Sequence, residues 1–161
     1  MRTLNYLHID ETTAKGIVSA LEQLLADYQV FYTNLRGFHW NIKGHGFFVL
    51  HSKFEEMYDD VAVKVDEIAE RILMLGGKPE NRFSEYLKVA HMDEVTNVSC
   101  GDEALKHVLE SYGYFIEQER KIISLASAAG DDTTVSMMSG YLEAQEKMVW
   151  MLVAYNSGEC K

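Results

Sequence analysis

Apolar residues recur along most of this chain at steps of three and four, the spacing that lines one face of an α-helix. From Asp10 onward the run Ile17, Val18, Leu21, Leu24, Leu25, Tyr28, Phe31, Tyr32, Leu35 and Phe38 follows it, with Asp10 or Thr12 as the expected cap. Gly44-His45-Gly46 breaks the pattern. Phe47 to Leu75 then continues without Gly or Pro, which predicts a second long helix stopped by Gly76-Gly77, with Pro79 just beyond. A third run, Ala104, Leu105, Val108, Leu109, Tyr112, Phe115, Ile116, Ile122 and Leu125, is introduced by Ser99-x-x-Asp102, which resembles a capping box, and is closed by Gly130. Asp131, Asp132 and Thr133 open a fourth, whose apolar positions include Val135, Met138, Tyr141, Leu142, Val149, Leu152 and Tyr155.

Four amphipathic helices make an all-α bundle. The links are about three residues, more than twenty, and about two, so two antiparallel hairpins are joined by a long bridge. Structureless loops of that length are uncommon in compact domains, and a short helix is therefore expected over Phe83 to Val89. The reading is one domain over residues 1–161, with loosely held ends near 1–7 and 156–161. A single Pro among 161 residues agrees with long uninterrupted helices.

Fifteen basic against twenty-five acidic residues leave a formal charge of −10, the wrong sign for gripping phosphates with the average surface. No apolar run approaches the roughly 18 residues of a membrane span, and the first residues carry neither an apolar stretch nor a cleavage pattern. A soluble cytoplasmic protein is expected. Cys100 and Cys160 form no C-x-x-C pair, which argues against a disulfide framework or a structural zinc site.

The chemistry gathers around the second helix. His39 lies near the end of the first helix, His51 and Glu55 one turn apart near the start of the second, and Asp66 and Glu70 one turn apart farther on. With His51 at zero and about 100° per residue, Glu55, Asp66 and Glu70 fall near 40°, 60° and 100°, on one broad side beside Tyr58 and Ala62. One reading is a solvated acidic face with Lys53 and Lys64 as counter-charges. The other is a metal site. His51 and Asp66 are separated along the helix by roughly 22 Å, so they cannot ligate one ion within one chain. If one site uses both, a two-fold dimer with antiparallel copies of the second helix brings His39, His51 and Glu55 of one subunit against Asp66 and Glu70 of the other. Mixed imidazole and carboxylate suit iron, manganese or zinc, and the lack of Cys ligands leans toward iron. A di-iron centre inside one bundle is the rival, but its Glu-x-x-His motif is absent from the sequence.

These residues resemble the Dps family, the dodecameric mini-ferritins. The likeness rests on His39-Trp40-Asn41, His51 twelve positions later, and Asp66-x-x-x-Glu70-Arg71 fifteen positions after that. It extends more weakly over nearly the whole chain, including Gly76-Gly77 and Ala128-Ala129-Gly130-Asp131. It implies a ferritin-like four-helix bundle with a short extra helix in the long connection, assembled as a homododecameric shell. It also implies a two-iron ferroxidase site at each two-fold interface, with His39 and His51 from one subunit and Asp66 and Glu70 from its neighbour, Glu70 as a bridge. Glu55 stands where many relatives carry Asp.

The activity implied is oxidation of Fe(II), preferably by hydrogen peroxide, with storage of ferric mineral and protection of DNA and the cell from oxidative damage. Trp40 is an expected electron donor, or else an interface aromatic. Asp131 is the candidate for an acid-lined iron-entry pore, with helix capping as its alternative. An architectural oligomer that coats DNA is the rival function. Residues 1–16 hold only Arg2 and Lys15 against Asp10 and Glu11, and the tail offers only Lys161 after Glu159, so the basic arms of DNA-binding relatives are absent and DNA binding and nucleoid association are not carried over.

Overall fold

The computed structural model describes residues 3–157, and within them every regular element is helical. The order is α1 (Leu4–Leu7), α2 (Glu11–Asn41), α3 (Phe47–Met74), α4 (Phe83–Val89), α5 (Gly101–Ala128) and α6 (Asp132–Asn156). No described helix is long and apolar enough to cross a membrane. Arg2, Glu159, Cys160 and Lys161 lie outside the described residues.

The four long helices are those the periodicity predicts, and they pack as two hairpins, α2 on α3 and α5 on α6, with α2 also against α5 and α4. Asp10 caps α2, accepting from the amides of Thr12 and Thr13 at 2.9 and 3.0 Å. Between α2 and α5, Tyr28 stacks on Phe115 with ring centroids 4.1 Å apart, and Phe31 tilts against the same ring at 5.2 Å. Phe54, Met57, Val61 and Ile68 of α3, and Met138, Tyr141 and Leu152 of α6, close the core from the other side. Each such large apolar side chain contributes about 1.5–3 kcal/mol on burial.

The stop after α3 is geometric. Gly76 takes φ +81°, and a Cβ at Gly77 would stand 2.7 Å from Val18 Cγ1 and 2.8 Å from Ile72 Cγ2, so only glycine lets the chain turn this close to α2. The bridge contains α4 over the expected residues, and polar side chains of α2 strap its remainder down. The buried Asp27 carboxylate accepts from the amides of His91 and Met92, from Gln23 Nε2 and from the Tyr114 hydroxyl. Asn34 accepts from the Val95 amide and donates to the Asp93 carbonyl.

Three expectations change. The turn α1 stands within the N-terminal segment expected to be loose, and Leu4 packs against the core. The helix after the bridge starts at Gly101 with Cys100 at the cap position and no side-chain cap bond; the Ser99 carbonyl accepts from the Lys43 amide at 3.0 Å, which ties the bridge to the α2–α3 turn. Asp131, the pore candidate, takes the capping role given as its alternative. Its side chain is buried, Oδ1 accepts from Arg71 Nη2 at 2.5 Å and from the Thr134 amide at 3.0 Å, and Oδ2 accepts from Thr134 Oγ1 at 2.5 Å. Arg71 also donates from Nε to Thr134 Oγ1 at 2.9 Å, clamping the end of α3 to the start of α6.

Burial alone would raise the Asp131 pKa, but the bonds from Arg71 and Thr134 outweigh it and hold the carboxyl below its ordinary 3.8. Its stabilising contribution is therefore complete above pH 3.8 and fades as pH falls through the lowered value. Asp131→Ala leaves a buried guanidinium unpaired and is expected to cost about 3–5 kcal/mol in denaturant unfolding at neutral pH. A loss below about 1 kcal/mol would show that the clamp does not hold the two hairpins together.

Candidate metal centre

The tight Gly44-His45-Gly46 turn sends α3 back along α2, so His39 in the last turn of α2 meets His51 in the second turn of α3. Their rings stack with centroids 3.7 Å apart and an interplanar angle of 19°. Each imidazole is bonded to the main chain of the other residue: His39 Nδ1 donates to the His51 carbonyl at 2.8 Å, and His51 Nδ1 donates to the His39 carbonyl at 2.9 Å. A carbonyl oxygen only accepts, so both Nδ1 atoms carry the hydrogen and both Nε2 atoms carry a lone pair in the neutral rings. That fixed tautomer is what a metal-binding imidazole requires. Phe47 lies flat beside His51 at 5.0 Å, and the Tyr58 ring meets His39 edge-on at 5.4 Å, which restrains both rings sideways.

Glu55 is exposed one turn beyond His51, and its Oε1 accepts from the Tyr58 hydroxyl at 3.4 Å. Partial burial, followed by the charges of Glu55 and Asp59, pushes the Tyr58 hydroxyl pKa above its ordinary value, so it stays a donor. Asp66 and Glu70 are exposed farther along the same helix. The chain thus pairs His39 with His51, sets Glu55 next to them, and leaves Asp66 and Glu70 apart. Among the described residues no three His, Cys, Asp or Glu side chains converge as a metal site.

The side of α3 carrying these groups faces away from the buried stripe of Leu50, Phe54, Met57, Val61 and Ile68. It also exposes large apolar side chains: Phe48 is 81% exposed, Val63 57% and Leu73 53%. Exposed carboxylates alternating with exposed apolar groups make a face suited to a partner surface. Trp40 is 64% exposed beside His39, with the Arg36 guanidinium 4.7 Å from its ring centroid and 5.4 Å from that of Tyr32. Arg36 and Phe47 did not stand out in the sequence; the signal for both is position, Arg36 one turn before Trp40 and Phe47 one turn before His51.

A ferritin-like domain family matches residues 18–157. The chain is 53% identical to the DNA protection during starvation protein of Porphyromonas gingivalis over 154 residues, covering 96% of this chain and 97% of that one. It is 36% identical to DNA protection during starvation protein 2 of Bacillus anthracis, covering 88% and 97%. Among solved structures, a Dps protein from Vibrio cholerae O1, described as a member of a broad superfamily of ferritin-like diiron-carboxylate proteins, superposes with a TM-score of 0.90 at 46% identity, covering 91% and 92%.

The reciprocal bonds predict a spectroscopic result. In metal-free protein at about pH 8, long-range proton–nitrogen correlation is expected to find both His39 and His51 as Nδ1–H tautomers. An Nε2–H tautomer at either residue would mean that the lock does not exist in solution.

Proposed function

Because the chain belongs to the ferritin-like family as a Dps protein, we propose that it is a ferroxidase that takes Fe(II) as substrate at intersubunit sites and stores the ferric product in a homododecameric shell. The observation that carries this reading is the reciprocal His39–His51 lock, which leaves two Nε2 lone pairs free and oriented.

In the proposed assembly, two antiparallel copies of α3 set His39, His51 and Glu55 of one subunit against Asp66 and Glu70 of the other, with two equivalent sites per two-fold axis. The imidazoles supply neutral donors, and the carboxylates supply the negative charge that favours iron in its oxidised state. Glu70 would hold iron as the carboxylate shared within the pair, and Trp40, beside His39, would supply an electron. Overall, two ferrous ions, one hydrogen peroxide and two waters become two ferric oxyhydroxide units and four protons. Pairing the electrons at one peroxide avoids releasing hydroxyl radical, which is how the protein protects DNA and the cell. The −10 charge of each chain favours cation supply and disfavours a DNA coat as the protective device. The cytoplasm is the proposed compartment.

Anaerobically prepared protein mixed with Fe(II) and peroxide is expected to lose at least about tenfold in initial oxidation rate when His39→Ala and Asp66→Ala are combined in one chain. An unchanged rate would remove the site. Co-assembling chains that each carry one of the two substitutions is expected to restore about a quarter of the sites, because some interfaces then pair an intact histidine set with intact carboxylates. Failure of the mixed assembly to exceed either single variant, or a stable monomer by light scattering, would refute the intersubunit arrangement.

A further inference from the structure

At one level of the core each long helix contributes a buried polar side chain: Tyr28 from α2, Lys64 from α3, Glu119 from α5 and Gln145 from α6. Glu119 is 0% exposed. Its Oε1 accepts from the Tyr28 hydroxyl and from Gln145 Nε2, both at 2.7 Å, and Gln145 Nε2 gives its second hydrogen to the Tyr28 oxygen, also at 2.7 Å. Two oxygens remain, Glu119 Oε2 and Gln145 Oε1, both buried and both without a partner. Both are acceptors. As a carboxylate, Glu119 would present a bare anionic oxygen to the interior beside a bare amide oxygen, an arrangement that burial penalises heavily.

The neighbouring groups do not relieve it. Lys64 is the cation facing Glu119, but its ammonium is paired with Asp60 at the surface and lies 5.1 Å from the centroid of the Tyr141 ring. The Tyr141 hydroxyl donates to Glu67 at 2.6 Å. Tyr112, on the same helix as Glu119, is also buried, and its hydroxyl pKa is raised by burial and then by Asp60 and Glu119.

The geometry points to a proton-binding site made by Glu119 and Gln145: below neutral pH Glu119 in the folded chain is a neutral carboxylic acid whose Oε2–H donates to Gln145 Oε1, closing a cyclic acid–amide pair. One proton then satisfies both orphaned oxygens. The carbonyl oxygen Oε1 keeps its two incoming bonds, and every hydrogen on Gln145 Nε2 and Tyr28 Oη is already directed correctly. A metal ion would find only these two oxygens unengaged, next to a buried ammonium.

The electrostatics agree. Burial raises the Glu119 pKa, the bonds from Tyr28 and Gln145 and the charge of Lys64 lower it in part, and the balance leaves it pushed up to about 7 from 4.5. The folded chain therefore holds one more proton than the unfolded chain between those values. The stabilisation is fully present below 4.5 and is lost as pH rises through about 7. A cleft of about 250 Å³, lined by Glu56, Asp60, Tyr112 and Gln145 among others, lies beside the pair. The proton site stands without the proposed iron chemistry. If that chemistry operates, the acid released by ferric hydrolysis acts on a core that tightens as pH falls.

The test uses chelator-treated, fully assembled protein. In infrared spectra of the wild type, the carbonyl stretch of a protonated carboxylic acid is expected to appear as pH falls from about 8 to 5.5, with a midpoint near neutrality, and to be missing from Glu119→Gln. The thermal midpoint of the wild type is expected to rise over the same interval by about 5 °C relative to that variant, which keeps the hydrogen-bond pattern without titrating. Glu119→Gln is expected to be at least as stable as the wild type at about pH 8. No carboxylic-acid band in the wild type above about pH 5.5, or parallel pH dependence in the two proteins, overturns the proposal. So does Mn(II) raising the wild-type midpoint and not that of the variant, which would make the occupant a metal ion. If Glu119→Gln does not assemble, the wild-type infrared titration decides alone.

Discussion

The contact between the end of α2 and the start of α3 is the one on which the rest of the molecule depends. A three-residue glycine turn reverses the chain, and the reversal puts two imidazoles face to face, each held by the other's backbone. From that point α3 continues unbroken to Met74, rising about 1.5 Å per residue, and carries Asp66 and Glu70 away from the histidines. The same helix thus carries the His51 end and the Asp66–Glu70 pair at separate levels, and its unbroken length keeps them apart within one chain.

What could be read from the sequence was what neighbouring residues determine. Apolar spacing of three and four gave the long helices, the Gly76-Gly77 pair gave the stop after α3, and the length of the bridge required α4. That His51, Glu55, Asp66 and Glu70 share one side of α3 was legible because helical geometry converts the interval from His51 to Glu70 directly into an angle and a rise. What local sequence does not carry has a different cause. The Ser99 carbonyl accepts from the Lys43 amide, fifty-six positions earlier, and Cys100 takes the cap position of α5. The Arg71 partner of Asp131 lies sixty positions away from it. The mutual bonds of His39 and His51 likewise arise only when two helices dock, and the spacing of the residues carries no sign of which ring nitrogen will be used.

Polar groups inside the bundle follow two regimes. Asp131 is a buried carboxylate met by donors on both oxygens, and its pKa falls. Glu119 is buried with donors to only one oxygen, and its pKa rises. The contrast lies in how many hydrogens the fold aims at each carboxyl, since burial acts in the same direction on both. The two groups consequently respond to acid in opposite senses, one a clamp that acid weakens and the other a core group that acid strengthens.

The strap formed by Asp27 and Asn34 changes what the long connection is in energetic terms. Residues 91–95 have no helix of their own, yet the amides of His91, Met92 and Val95 end on side chains of α2. These amides can meet solvent only if Asp27 and Asn34 release them. In the language of local opening, this piece of irregular chain belongs to the same cooperative unit as α2, and it breathes with the bundle and not as a loop.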